Sequence, residues 1–391
     1  MTPLPKGRST VCLIDLGALR WNFRQARKKV GPHVKILSVV KANAYGHGAC
    51  EIAEVLEDEG SDGFGTATVE EGIELRQRGI QSPVIVLAGV YPDQLEDIER
   101  YDLTPVICEP RVLGSLKKLA KKRRTPLNFH LKVDTGMGRI GFLSLETASW
   151  LPALRGLEML KLQGVFSHFS RAESVSHKHT KNQLVSFRQV LQQLQANGHQ
   201  PSFVHLANSA AIITLPEAYF TMVRPGLMLY GIYPSPEMVN ETSLKPVLTW
   251  KTFIHQLKKV PKGFSISYGQ TFTTQRESMI ATLPLGYADG YKRSLSNRGA
   301  VLVRGQRTPI IGTICMDLTT VDVTDIRGVN QGDEVVLLGQ QKDAAISADE
   351  VASWANTISY EILTSISARV PRTHNRQKGE SKTLWPRLKG R

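Results

Sequence analysis

No run of apolar residues in this chain approaches the ~18 needed to cross a bilayer. The opening "MTPLPKGRST" carries charge with no apolar core behind it. Neither a membrane span nor a secretory leader is expected, and the chain reads as cytoplasmic. Cysteine is scarce. Cys12, Cys50, Cys108 and Cys315 stand far apart and form no C-x-x-C pair. A disulfide framework or a thiolate metal site is not expected, and the thiols read as reduced and buried. Internal repeats and low-complexity segments are also missing. Carboxylates are few beside cations: 35 Asp and Glu against 49 Lys and Arg, a net charge of +14. Much of that excess is local, because residues 372–391 hold seven Lys or Arg and one Glu. A second cluster, "KKLAKKRR" (Lys117 to Arg124), reads as the solvated end of a helix. A basic surface with a loose tail accounts for the charge without a nucleic-acid or membrane partner. A nucleic-acid reading would demand strong salt dependence of binding.

What is present is globular. With 391 residues, 41% hydrophobic and 21% charged, the chain is long enough for two domains. Apolar runs the size of strands recur at Ile36–Val40, Phe64–Thr68, Val84–Ala88, Leu103–Ile107, Leu127–Val133, Leu162–His168, Phe203–Leu206 and Met222–Arg224. Segments with a helical period separate most of them, among them Gly48–Glu59, Glu70–Arg78 and Lys181–Asn197. Eight strand–helix units imply an α/β class and an N-terminal (β/α)8 TIM-like barrel, placed over 10–238. A short strand near 11–14 precedes it and pairs, on this reading, with the second domain. From 239 to 372, β-branched runs broken by Gly, Pro and Asn imply a mainly antiparallel β domain, followed by one short helix in "ISADEVASWANTISYEILTSI". Residues 373–391 and the leading "TPLPKGRS" read as loose.

Barrel enzymes carry their sites at the C-terminal ends of the strands. Those ends hold Lys41 and Tyr45, then Lys132 and Arg139 in "KVDTGMGRIG", His168 in "FSHF", Asn208 and Ser209 in "LANSA", and Arg224 and Gly226 in "VRPGLMLYG". The loops after strands seven and eight are the usual phosphate site of this fold, here Ser209 with the N–H groups of Gly226 and Leu227. A lysine held in a dry pocket loses basicity and becomes a nucleophile toward carbonyls. Beside a phosphate site the carbonyl in question is pyridoxal 5′-phosphate. Lys41 taken alone also fits a lysine that simply emerges at the rim or pairs with a carboxylate.

Nine stretches, in order, decide between these. "VVKANAYGHG", "HLKVDTGMGRIGF", "FSHF", "HLANSAA", "RPGLMLYG", "SISYGQTF", "LPLGYADGYKR", "GTICMD" and "SYEILTSISARVPR" resemble the alanine racemase family over roughly residues 10 to 372. The resemblance implies a barrel followed by a β domain, a homodimer with shared active sites, and pyridoxal 5′-phosphate in a Schiff base on Lys41. It implies two acid/base groups, Lys41 on one face of alanine and Tyr268 of a partner subunit on the other. Tyr45, His168, Asn208, Ser209, Arg224, Gly226, Leu227 and Tyr360 match cofactor contacts. Arg139 and the backbone of Met316 match contacts to the substrate carboxylate, and Lys132 matches a lysine that is often carbamylated. Tyr287 and Arg293 match residues of the entrance. No metal is implied. The role implied is supply of D-alanine for peptidoglycan. Two other readings share the barrel: an amino-acid decarboxylase, which needs an acid at the pyridine nitrogen, and a carrier of the cofactor without turnover. Arg224 argues against the first, and the second domain with Tyr268 against the second.

Overall fold

The computed structural model describes residues 8–122, 126–173 and 178–375. Eight parallel strands form a closed barrel: Lys35–Val39, Gly63–Thr66, Val84–Val86, Thr104–Ile107, Leu127–Asp134, Leu160–Phe166, Phe203–His205 and Met222–Val223. The eighth strand closes the ring on the first through Met222 and Lys35. Leu37, Ile85, Val106, Phe166 and Met222 plug the barrel interior, so the ring is a packed core and not a pore.

Local chemistry explains the helices outside it. Asp15 caps Leu16–Val30 by accepting the Ala18 N–H at 2.9 Å, and Arg27, Lys28 and Lys29 sit in the last turn, opposite the negative end of the helix dipole. Thr68 and Glu71 form a capping box at the head of Val69–Arg78. Among the described residues, no helix is long and apolar enough to cross a membrane.

The second domain is mostly antiparallel. Its largest sheet runs in the order Gln306–Pro309, Ala300–Val303, Glu334–Gln341, Leu248–Phe253, Val11–Asp15 and Arg372–Asn375. Val11–Asp15 thus lies in the second domain's sheet, antiparallel to Leu248–Phe253 and parallel to Arg372–Asn375.

Four expectations need correction. Thr373 to Asn375 do not belong to a tail but complete the strand that begins at Arg372, because parallel pairing with Val11–Asp15 satisfies their backbone; residues 376–391 lie outside the described residues. Arg8, read as loose, donates to the Arg369 carbonyl at 2.7 Å and pairs with the buried Asp289. The single helix near the end is two, Ala348–Ala355 and Ser359–Thr364, because Asn356 turns left-handed with φ 55° and stops the first. The four cysteines are unpaired, but only Cys12 is buried.

Candidate active site

The first barrel strand ends at Val39, and the chain then does something unusual. Ala42, Asn43, Ala44 and Tyr45 all have φ of 52–53°, one turn of left-handed helix opening on Lys41. Each such non-glycine residue costs about 1–2 kcal/mol, so surrounding contacts must hold the turn. Ala44 N–H donates to the Val40 carbonyl at 2.8 Å and Gly48 N–H to the Asn43 carbonyl at 3.0 Å. The Asn43 side chain accepts from Ala49 N–H at 2.8 Å. Buried His47 lies with Nδ1 2.9 Å from two carbonyls, of Ala44 and Tyr45. Glu71 accepts the Ala42 N–H at 2.6 Å. The Lys41 ammonium is pushed below its ordinary pKa, first by burial and then by Arg139, with Glu71 opposing.

Across the barrel mouth lies a cradle. Ser209 Oγ accepts N–H groups from Gly226 at 2.9 Å and Met228 at 3.3 Å. Asn208 caps the helix Ser209–Thr214 through Ala211 N–H. A Cβ on Gly226 would stand 2.7 Å from the Tyr45 hydroxyl, so only glycine leaves the space between them open. Leu227 begins the 3-10 turn Leu227–Tyr230, which leaves its N–H without a partner inside the turn. The Tyr45 ring stacks on Tyr230 at 4.9 Å and tilts toward Tyr360 at 5.9 Å. Burial raises the Tyr45 pKa, which keeps the phenol protonated as a donor.

The remaining wall is cationic. Arg224 is buried, and its Nη1 meets His205 Nδ1 at 3.0 Å and the His205 carbonyl at 2.8 Å. Its Nη2 reaches the Ser167 carbonyl at 2.7 Å and His168 Nδ1 at 3.3 Å. These partners are carbonyls and imidazoles, not carboxylates. Burial, with Arg224 and Arg139 adding, pulls Lys132 down to about 8. His168 falls well below its ordinary range through burial and the same cations. Asp134 organises the loop to Arg139: Oδ1 accepts N–H from Gly136, Met137 and Gly138, and Oδ2 accepts it from Arg139 at 3.0 Å.

A cavity of about 1000 Å³ brings eleven of the expected residues together. Lys41, Tyr45, Lys132, Arg139 and His168 line it, as do Asn208, Ser209, Arg224, Gly226, Leu227 and Tyr360. Tyr268, Met316, Tyr287 and Arg293 do not; they lie on the second domain, where Tyr268 is 73% exposed and Met316 53%. Sequence reading missed Glu71, Asp134 and His205. The "TVEE" capping signal could have flagged Glu71 as a helix cap, but its bond to Ala42 needs the fold. His205 is the first residue of "HLANSAA", but its chemistry becomes visible only beside Arg224.

Residues 14–234 match the family model for the alanine racemase N-terminal domain, and residues 247–374 match that for the C-terminal domain. An alanine racemase of Halothermothrix orenii is 47% identical over 372 residues, spanning 95% of this chain and 98% of the relative. The crystal structure of a Bacillus anthracis alanine racemase with bound L-Ala-P superposes with a TM-score of 0.90 at 36% identity, covering 95% of this chain and 96% of that one. A Bartonella henselae alanine racemase with covalently bound pyridoxal phosphate gives a TM-score of 0.84 at 31% identity, covering 94% and 100%.

Proposed function

The chain belongs to the alanine racemase family of pyridoxal phosphate-dependent isomerases, and we propose that it interconverts L- and D-alanine between two opposed acid/base groups, Lys41 and Tyr268. The cavity fits the cofactor. The gap kept open by Gly226, with the donors of Tyr45, Leu227 and Tyr360 around it and Ser209 beneath, suits a phosphate. Lys41 faces the same cavity and would be its covalent anchor, and Arg224 would hold the pyridine nitrogen. Bound there, the cofactor supplies a conjugated acceptor for the electrons left at Cα. Arg224 stays a hydrogen-bond donor and does not hand over its proton readily, so the ring is a weaker acceptor than one paired with an acid. A decarboxylase that relies on such an acid is disfavoured for the same reason.

The protein's own groups manage the proton. Lys41, shifted toward the free amine, takes and returns it on one face. Tyr268 does so on the other. A phenol of ordinary pKa ~10 is a poor base at neutral pH and needs donors that favour phenolate. His168 supplies one. Arginine only donates, so His168 Nδ1 accepts from Arg224 and Nε2 carries the hydrogen that can face the phenol. Arg139 binds the alanine carboxylate with the Met316 backbone N–H. Lys132, shifted toward the free amine among three other cations, is suited to add CO2, releasing a proton and becoming a carbamate that orients Arg139.

One observation carries this reading. Tyr268 is exposed and outside its own chain's cavity, and Met316 and Tyr287 share that placement. A second copy that inserts them completes the site, which makes the working unit a homodimer. The proposed setting is the cytoplasm, with D-alanine supplied for peptidoglycan. Mixing two inactive proteins tests the shared site. Lys41→Ala and Tyr268→Phe chains, co-refolded, should recover racemisation, since each mixed dimer contains one site with both native groups. Mixed dimers verified by mass that remain as inactive as their parents would refute the arrangement.

A further inference from the structure

The left-handed turn that carries Lys41 is touched on three consecutive residues by the end of the other domain. The Tyr360 ring meets Tyr45 at 5.9 Å. A Cβ on Gly46 would stand 2.3 Å from the Leu363 carbonyl oxygen, so the two backbones are in direct contact there. Arg372 Nε donates to the Gly46 carbonyl at 3.0 Å, and His374 Nε2 lies 2.9 Å from the His47 carbonyl. A carbonyl only accepts, so His374 carries its hydrogen on Nε2 in this contact.

We propose that Arg372 and His374 are positioning residues for Lys41: the last strand of the second domain holds the left-handed turn in shape, so cofactor attachment in the barrel depends on the docking of that strand. The geometry of Arg372 supports the role. Its other nitrogens bond the Ile366, Ser367 and Val370 carbonyls at 2.5–2.6 Å. The guanidinium therefore ties the turn to the loop that leads into its own strand, and carbonyls, not a carboxylate, take up its hydrogens. That strand is fixed in turn by pairing with Val11–Asp15, and by Cys12 N–H on the Pro371 carbonyl at 3.0 Å. Backbone held in a sparsely populated region persists only where its surroundings over-determine it. Release of the Gly46 and His47 carbonyls frees the turn to relax, and Lys41 and the Tyr45 hydroxyl move together because both lie on it.

The inference rests on the proposed attachment of pyridoxal phosphate at Lys41, and the test separates the two. Full-length wild type, Arg372→Gln, Arg372→Lys, His374→Ala and a control are stripped of cofactor and titrated with pyridoxal phosphate. The control is Lys251→Gln, which loses an ion pair with Glu334 elsewhere in the same sheet. Attachment is read by borohydride trapping and peptide mass. Arg372→Gln should bind the cofactor roughly tenfold or more weakly, the loss of one charged hydrogen bond, with less label at Lys41. Its apoprotein should melt below the control, because the Ile366, Ser367 and Val370 carbonyls lose their donor as well, so all titrations are run well below that melt. His374→Ala should show a smaller loss, and Arg372→Lys a partial rescue. Folded variants whose cofactor affinity and Lys41 label equal wild type overturn the inference. If Arg372→Gln does not fold, His374→Ala decides on the same readouts. Wild type that takes no label at Lys41 overturns the functional reading instead.

Discussion

Arg224 donates to Nδ1 of His205 at 3.0 Å, and Nε2 of His205 meets Nδ1 of His130 at 2.9 Å behind it. Because arginine can only donate, both tautomers follow: His205 carries its hydrogen on Nε2, and His130 accepts it on Nδ1. Burial holds both imidazoles far below their ordinary pKa, so the pair is neutral and adds no charge to the arginine it orients. Arg224→Glu should place an acid where the ring nitrogen is proposed to lie and strengthen the electron sink. Racemisation should slow by roughly tenfold or more, and the fraction of turnovers ending in transamination should rise. Pyruvate formation measured beside D-alanine formation checks this; unchanged partitioning would be the wrong outcome for Arg224 as the limiter.

Gly226 stands between Val39 and the Tyr45 hydroxyl. Gly226→Ala adds bulk to that gap. The added methyl, 2.7 Å from the phenol oxygen, should weaken pyridoxal phosphate binding by roughly tenfold or more, in line with overpacking costs of about 1–3 kcal/mol. Titration of the apoprotein reads this directly.

Acid should destabilise the fold before the carboxylates titrate. Burial lowers His47 to about 4 and His130 to about 3, whereas both return to an ordinary value on unfolding. Between pH ~6.5 and ~4 the unfolded chain binds protons that the native one refuses, so stability falls as pH falls. The expected loss is a few kcal/mol. Melting temperatures across that window should drop, and His130→Gln should drop less steeply.

Two guanidinium groups, those of Arg139 and Arg224, line the cavity, and tyrosines are proposed to narrow its mouth. A substrate with a small neutral side chain suits it. Alanine should be preferred, serine slower, and arginine or lysine poorer by roughly a hundredfold in kcat/KM. Racemisation of each amino acid followed by polarimetry decides.

The barrel was legible because its signal is periodic. Each buried parallel strand is a short apolar run, and the crossover helices show their charged faces between them. Lys178–Ala196 begins three residues ahead of the predicted start, an ordinary boundary error. The strand-end residues were legible for the same reason, since a strand end fixes where a side chain emerges. The left-handed turn after Lys41 was not. Local bonds within residues 40–49 accompany the turn, but Ala-Asn-Ala-Tyr does not announce φ near 53° in sequence, and the further contacts from Glu71, Arg372 and His374 are distant along the chain. "TPIIGTICMDLTTVDV" is one of the β-branched runs of the second domain, and within it Gly312 turns with φ 73° against the Ile266 carbonyl, so that pairing resumes only at Thr319. Asp134 and His205 were invisible as functional groups because their partners are backbone N–H groups and a buried arginine.

Val11–Asp15 has its two sheet neighbours in Leu248–Phe253, beyond the whole barrel, and Arg372–Asn375, nearly the full length of the chain away. A ribosome adding about 5–20 residues per second delivers the nearer neighbour only after an interval on the order of ten seconds or more. Throughout that interval a strand with one apolar face has no sheet to join. The nascent barrel therefore leaves the tunnel with an unpaired edge at its front, and the translation rate, as well as the sequence, bears on how much of this protein reaches its native form.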